Sequence, residues 1–222
     1  AFVVDMGGGD ALTQTAASCL AAEVEPMSRP VAVSCRDISR GPAMSIAAAR
    51  QAVETGIDLA EECRQHDLLA VACQSRGVRC AASAIAIRCL GEYKESDLPE
   101  SIEAALMTEI LSAACDGRNG LELLAALGGF DLGGATGLIL ASAAVHRPII
   151  LSDFAATAAA LVAARLEPFI RDYLFTAAVE CPLHRAALSL LGAPLLTPEQ
   201  GLDQSLETLI AASSLFIEAG CA

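Results

Sequence analysis

Four short runs of apolar residues, Phe2 to Val4, Val31 to Val33, Leu68 to Ala72 and Ile149 to Leu151, punctuate a chain that is otherwise dominated by much longer alanine-rich stretches. Each run is bounded by turn residues or charges. Runs this short that are apolar at consecutive positions fit strands covered on both faces rather than strands with one wet face. Fully covered strands belong to parallel sheets, whose crossovers require the long helical stretches that separate the runs here. The pattern therefore predicts an α/β fold with a parallel sheet, residues after Ser152 being almost wholly helical. Ligands of such a sheet gather at the carboxyl ends of its strands.

The helical stretches carry their own signals. After Gly41-Pro42, where the proline ring presets a helical φ, apolar positions recur at Ile46, Ala49, Val53, Ile57 and Ala60, which predicts a helix starting at that turn. Leu132 to Val145 is apolar but lies between Asp131 and His146-Arg147-Pro148, too short for a membrane span and suited to a buried helix. Gly91 to Glu100 is the most polar connector. With 54% hydrophobic residues and no tract that separates domains, residues 1–222 are expected to form one α/β domain, with 183–222 contributing to a small helical subdomain.

Charge and cysteine usage exclude several function classes. A formal net charge of −13, with no local cluster of Lys and Arg, would repel a phosphate backbone, so nucleic acid is not an expected partner. The nine cysteines are odd in number and contain no CxxC pair, which suggests buried, reduced thiols rather than a disulfide framework or zinc ribbon. No start with the pattern of a secretory signal is seen, and a cytoplasmic setting is expected. His66, His146 and His184 are scattered without metal-ligand spacing, so neither a metal nor a cofactor is expected. Glu61-Glu62 and Glu95 to Asp97 read as solvated faces. The strand-like Phe2 to Asp5 running into Gly7-Gly8-Gly9 resembles the first phosphate loop of actin-like ATPases, but that family's second phosphate loop and adenosine loop are not found. The glycines also miss the GxGxxG spacing of dinucleotide folds, and a tight turn is their simpler use.

Three blocks, taken in order, resemble the nicotinate-nucleotide:dimethylbenzimidazole phosphoribosyltransferases of cobalamin lower-ligand assembly. The first is Ile38-Ser39-Arg40-Gly41-Pro42-Ala43-Met44, similar to the family's I-x-x-G-P-A-M turn before a long helix with an internal glycine, here Gly56. The second, Leu121 to Leu132, reads L-E-L-L-A-A-L-G-G-F-D-L and resembles the family's L-E-V-L-A-A-V-G-G-F-E-I. The third runs from Arg147 through Ser152-Asp153-Phe154 to Cys181-Pro182-Leu183-His184, similar to a strand, D-G-F turn, helix and E-P-G-H turn. The family's D-H-G segment would lie before Ala1.

The resemblance implies a Rossmann-like parallel sheet flanked by helices, usually paired as a homodimer, here with a second copy or a paralogue. It implies transfer of phosphoribose from nicotinate mononucleotide to a benzimidazole-type base, with Gly128 and Gly129 beside the phosphate and Asp153 and His184 near the substrate. The family's G-E-M-G-I-G-N-T-T loop corresponds to Ala72 through Cys80, where Gly77 remains and Ser75, Arg76 and Arg79 stand among the altered positions. Its catalytic glutamate, which accepts the azole proton, falls on Gln204 in an ungapped alignment and on Glu207 if three residues are inserted. A glutamine amide cannot take up that proton at neutral pH. If Gln204 holds the place, the expectation is a chain without measurable transfer, a member of the family that binds a nucleotide or a partner subunit.

Overall fold

The computed structural model describes residues 2–5, 25–28, 35–114, 117, 119–176 and 179–195. Five strands, β1 (Phe2–Asp5), β2 (Glu25–Ser28), β3 (Leu69–Ala72), β4 (Ile149–Leu151) and β5 (Leu174–Thr176), form one sheet in the order β2-β1-β3-β4-β5. Every pairing is parallel, as the sequence predicts. β3 and β4 are buried at every position, which explains their unbroken apolar runs. The run Val31 to Val33 lies outside the described residues, as do Gly7 to Gly9. Among the described strands one edge is β2, a position that suits Pro26, a residue with no N–H to give a ladder.

Two expectations need correction. The helix expected from Gly41-Pro42 begins later: α1 spans Ile46–Glu62, and the Ser45 side chain caps it by accepting from the Ala48 N–H at 3.1 Å. Gly41 and Pro42 instead form a turn, from which the Ala43 and Met44 N–H groups donate to the Ala126 and Ala125 carbonyls, each at 3.0 Å. The buried face of α1 is also rotated: Ile46 and Ile57 are exposed, while Ala49, Ala52, Val53, Gly56 and Ala60 face inward. The second correction is β5, a strand in the stretch read as almost wholly helical.

The remaining helices are α2 (Val78–Leu90), α3 (Ala104–Ala113), α4 (Gly120–Leu127), α5 (Phe130–Ala144), α6 (Phe154–Leu166) and α7 (Pro182–Leu191). The buried α5 answers the reading of Leu132 to Val145, and α6 is buried on every face from Phe154 to Ala164. Both lie against β3 and β4 and against each other, forming one covering layer. α1 crosses α5 at backbone contact, since a Cβ on Gly56 would stand 1.9 Å from the Gly134 carbonyl oxygen and one on Gly137 the same distance from that of Val53. Of the expected small subdomain over 183–222, the described part is α7 through Leu191, which packs on α2 and α6, and residues 192–195, of which Leu195 bridges to Thr176 of β5. Of the cysteines whose state is described, Cys63 and Cys73 are buried and Cys35, Cys80, Cys89 and Cys181 half-buried, all as reduced thiols. Among the described residues no helix is long and apolar enough to cross a membrane.

Candidate functional site

Parallel register places Ala72, Leu151 and Thr176 at one edge of the sheet, and the loops that leave this edge build the candidate site. After β3 the chain passes through Cys73 to Gly77, which ends in the left-handed conformation (φ 81°) as the cap of α2. After β4 comes Ser152-Asp153, with Asp153 capping α6. Glu180 and Cys181 lead into α7, where Pro182 opens the helix and the Cys181 sulfur accepts from the His184 N–H.

Asp153 ties two of these loops together. Its Oδ1 accepts from the Ala156 N–H at 2.6 Å and its Oδ2 from the Cys73 N–H at 2.9 Å. Burial pushes its carboxyl up to about 7, against the opposing pull of those two N–H donors; Glu180 adds to the rise and Arg79 works against it. Glu180 is engaged on both oxygens: Oε1 accepts from the Phe154 N–H at 2.7 Å, and Oε2 pairs with Arg79 Nη2 at 2.7 Å.

His184 is fully buried behind this wall and stacks on Phe154, ring centroids 5.0 Å apart. Its Nδ1 faces the Glu180 N–H at 3.2 Å and so must accept, which leaves the proton on Nε2, 2.9 Å from Thr157 Oγ1. The Thr157 hydroxyl then donates to the Asp153 carbonyl at 3.2 Å. Burial lowers the His184 pKa to about 4, so the ring is neutral at physiological pH.

Two clefts open along the edge, of about 530 Å³ and about 800 Å³, with Ser75, Gly77, Val78 and Cys80 in the wall between them. The smaller is lined by Asp153, Glu180, Arg79 and Cys73. The larger is lined by Arg36, Arg76, Gly128, Gly129 and Asp131, with Leu106 and Ile110 on its apolar side. Gly128 ends α4 and Gly129 caps α5; a Cβ on Gly129 would meet Asp131 Oδ1 at 2.2 Å. The Asp131 carboxylate, 4% exposed, folds back over that glycine and accepts from the Ser75 hydroxyl.

Ser75, Arg76, Gly77, Gly128, Gly129 and Asp153 thus meet at one edge of the sheet, whereas His184 lines neither cleft and supports the wall from behind. Gln204 and Glu207 lie outside the described residues. Sequence reasoning did not single out Glu180 or Asp131. The only signal for Glu180 is its place just before a helix-opening Cys181-Pro182, and Asp131 sits inside the second matched block as a conservative replacement. Among the described residues no group of three His, Cys, Asp or Glu side chains is arranged to hold a metal ion.

A family model described as phosphoribosyltransferase matches residues 1–213. A nicotinate-nucleotide--dimethylbenzimidazole phosphoribosyltransferase of Desulfotalea psychrophila is 34% identical over 187 residues, covering 79% of this chain and 51% of that protein. The enzyme of the same name from Geobacter sulfurreducens is 32% identical over 210 residues, 86% of this chain and 58% of its own length. The chain therefore spans little more than half the length of these curated relatives. The crystal structure of the Thermus thermophilus protein of that name superposes with a TM-score of 0.76 at 24% identity, over 96% of this chain and 79% of that one, and shows the same fold. On the match that runs through most of its length, the chain belongs to the nicotinate-nucleotide:dimethylbenzimidazole phosphoribosyltransferase family.

Proposed function

We propose that the chain transfers phosphoribose from nicotinate mononucleotide to a benzimidazole-type base, the chemistry for which its relatives are named, yielding an α-ribazole phosphate. The observation that carries this reading is the pair of adjoining clefts at the carboxyl edge of a parallel sheet, built from the loops that correspond to the matched blocks. Gly128 and Gly129 line the larger cleft at the start of α5, with the space a Cβ would take at each filled by Leu124 and by Asp131, so the approach left to an anion is toward the first N–H groups of α5. Asp131 already brings negative charge to the same helix start, so a phosphate there needs a compensating cation, and Arg76 lines the same cleft. No cofactor or metal enters the reading. Pairing with a second copy or a paralogue belongs to it as well.

The test is to supply the chain with nicotinate mononucleotide and dimethylbenzimidazole and follow nicotinate release. Turnover that falls in Arg76→Ala by roughly tenfold or more, the scale of one hydrogen bond to a charged group, supports the reading. Loss of turnover in Glu207→Gln would identify Glu207 as the proton acceptor, and turnover gained only in Gln204→Glu would place the family's glutamate at 204. Nucleotide binding without turnover in any of these proteins would leave a binding subunit, and absence of both would overturn the proposal.

A further inference from the structure

The acidic side chains at the carboxyl edge differ in what holds them. Glu180 has one oxygen on the Phe154 N–H and the other on Arg79. Asp131 is folded over Gly129 and bound by Ser75. His184 has both ring nitrogens engaged. Asp153, like Glu180, carries one donor on each oxygen and keeps a second lone pair on each, but both of its donors are backbone N–H groups rather than a cation, and it lines the smaller cleft with part of its surface open although protein surrounds it elsewhere.

We propose that Asp153 is the proton acceptor of the transfer reaction in this chain, doing from the end of β4 what the family's glutamate does from the position that falls on Gln204 without a gap and on Glu207 if three residues are inserted. The proposal rests on the phosphoribosyl-transfer reading. An azole nitrogen forms the bond to the ribose carbon with its lone pair. The bond from that carbon to nicotinate breaks, its electron pair going to the pyridine nitrogen. The proton on the second azole nitrogen passes to an Asp153 oxygen and is afterwards released to water.

The placement suits the role. Two backbone hydrogen bonds, one from the first turn of α6 and one from the loop after β3, fix the carboxylate, and a group so fixed meets a bound base without losing rotamer freedom at the moment of reaction. Capping α6 does not by itself require a titratable side chain, since Asn, Ser or Thr would cap as well. The titratable and charged groups that share the smaller cleft with Asp153 are Glu180, Arg79, Cys73 and Cys80, with the neutral His184 and Thr157 behind it. Burial brings the carboxyl to about 7, where a general base is most effective at neutral pH.

The experiment is kcat/KM against pH for the unmodified chain, Asp153→Asn and Asp153→Ser, with nicotinate mononucleotide binding measured by calorimetry and folding by thermal denaturation. The unmodified chain is expected to lose about tenfold in rate per pH unit below about 7. In both variants, which keep a capping oxygen, kcat is expected to fall ~10²- to 10⁴-fold, the acid limb to vanish and nucleotide affinity to stay within about twofold. A merely structural role would lower the rate at every pH and leave the limb intact. A limb that persists in either variant, or a flat profile in the unmodified chain, overturns the assignment while phosphoribosyl transfer stands. Nucleotide binding without turnover in the unmodified chain also overturns it, and absence of both binding and turnover removes the underlying reading too.

Discussion

Protonating His184 should destabilise the fold, and the size of the effect follows from its surroundings. The ring is fully buried, its Nδ1 accepts from the Glu180 N–H at 3.2 Å, and its Nε2 bears the only proton. A second proton on Nδ1 would turn that acceptor into a donor facing a donor, in a place water does not reach. The folded-state pKa is accordingly lowered to about 4 from an ordinary 6.5. For a depressed histidine, the unfolded chain binds the proton first, so this contribution to stability is fully present above about 6.5 and is lost as pH falls through about 4. Between neutral pH and about pH 4.5 the linkage amounts to about 2.5 kcal/mol, from the two pKa values and 1.36 kcal/mol per unit. Asp153 acts with the opposite sign over an overlapping range, because its raised carboxyl penalises the fold as pH rises from about 4 to about 7. The net pH dependence of the unmodified chain therefore mixes the two. Comparison with His184→Gln separates them, since Asp153 is common to both proteins. Urea unfolding of both across this range should show the unmodified chain losing about 2.5 kcal/mol relative to the variant on acidification. Parallel curves, or a His184 ring resonance that titrates near its ordinary value in the folded protein, would refute the reasoning.

Other substitutions test the packing and the loop geometry. Gly137→Ala should cost about 2 kcal/mol in urea unfolding, because its Cβ would stand 1.9 Å from the Val53 carbonyl and force α1 and α5 apart, outweighing the ~1 kcal/mol by which alanine favours a helix. Gly77→Ala should cost about 1 kcal/mol in thermal stability through its left-handed φ alone, since nothing lies within 4 Å of the added methyl; Gly77→Asn should recover part of that loss.

What the sequence determined by itself was the set of features written in local periodicity. The unbroken apolar runs Leu68 to Ala72 and Ile149 to Leu151 read as covered strands and the alanine-rich spacers as crossovers, so the parallel α/β class was legible. The buried helix α5 was legible too, because its apolar stretch is long and has charged flanks. Where a local signal misplaced a boundary, the tertiary structure decided. Pro42 marked a helix start, yet α1 begins after Ser45, because Ala43 and Met44 give their N–H groups to the end of α4. At β5, Leu174 to Thr176 is too short to show a period, and it is a strand because β4 offers it a parallel edge. Asp153 could be marked from its own turn, but nothing local announced that Cys73 and Glu180 would stand beside it. Glu180 meets Arg79 from a distant part of the chain, and that meeting exists only because parallel register brings the ends of β3, β4 and β5 to one edge. Periodicity and caps are properties of a few neighbouring residues, whereas a site assembled from three loops is a property of the register between strands, which no single segment carries.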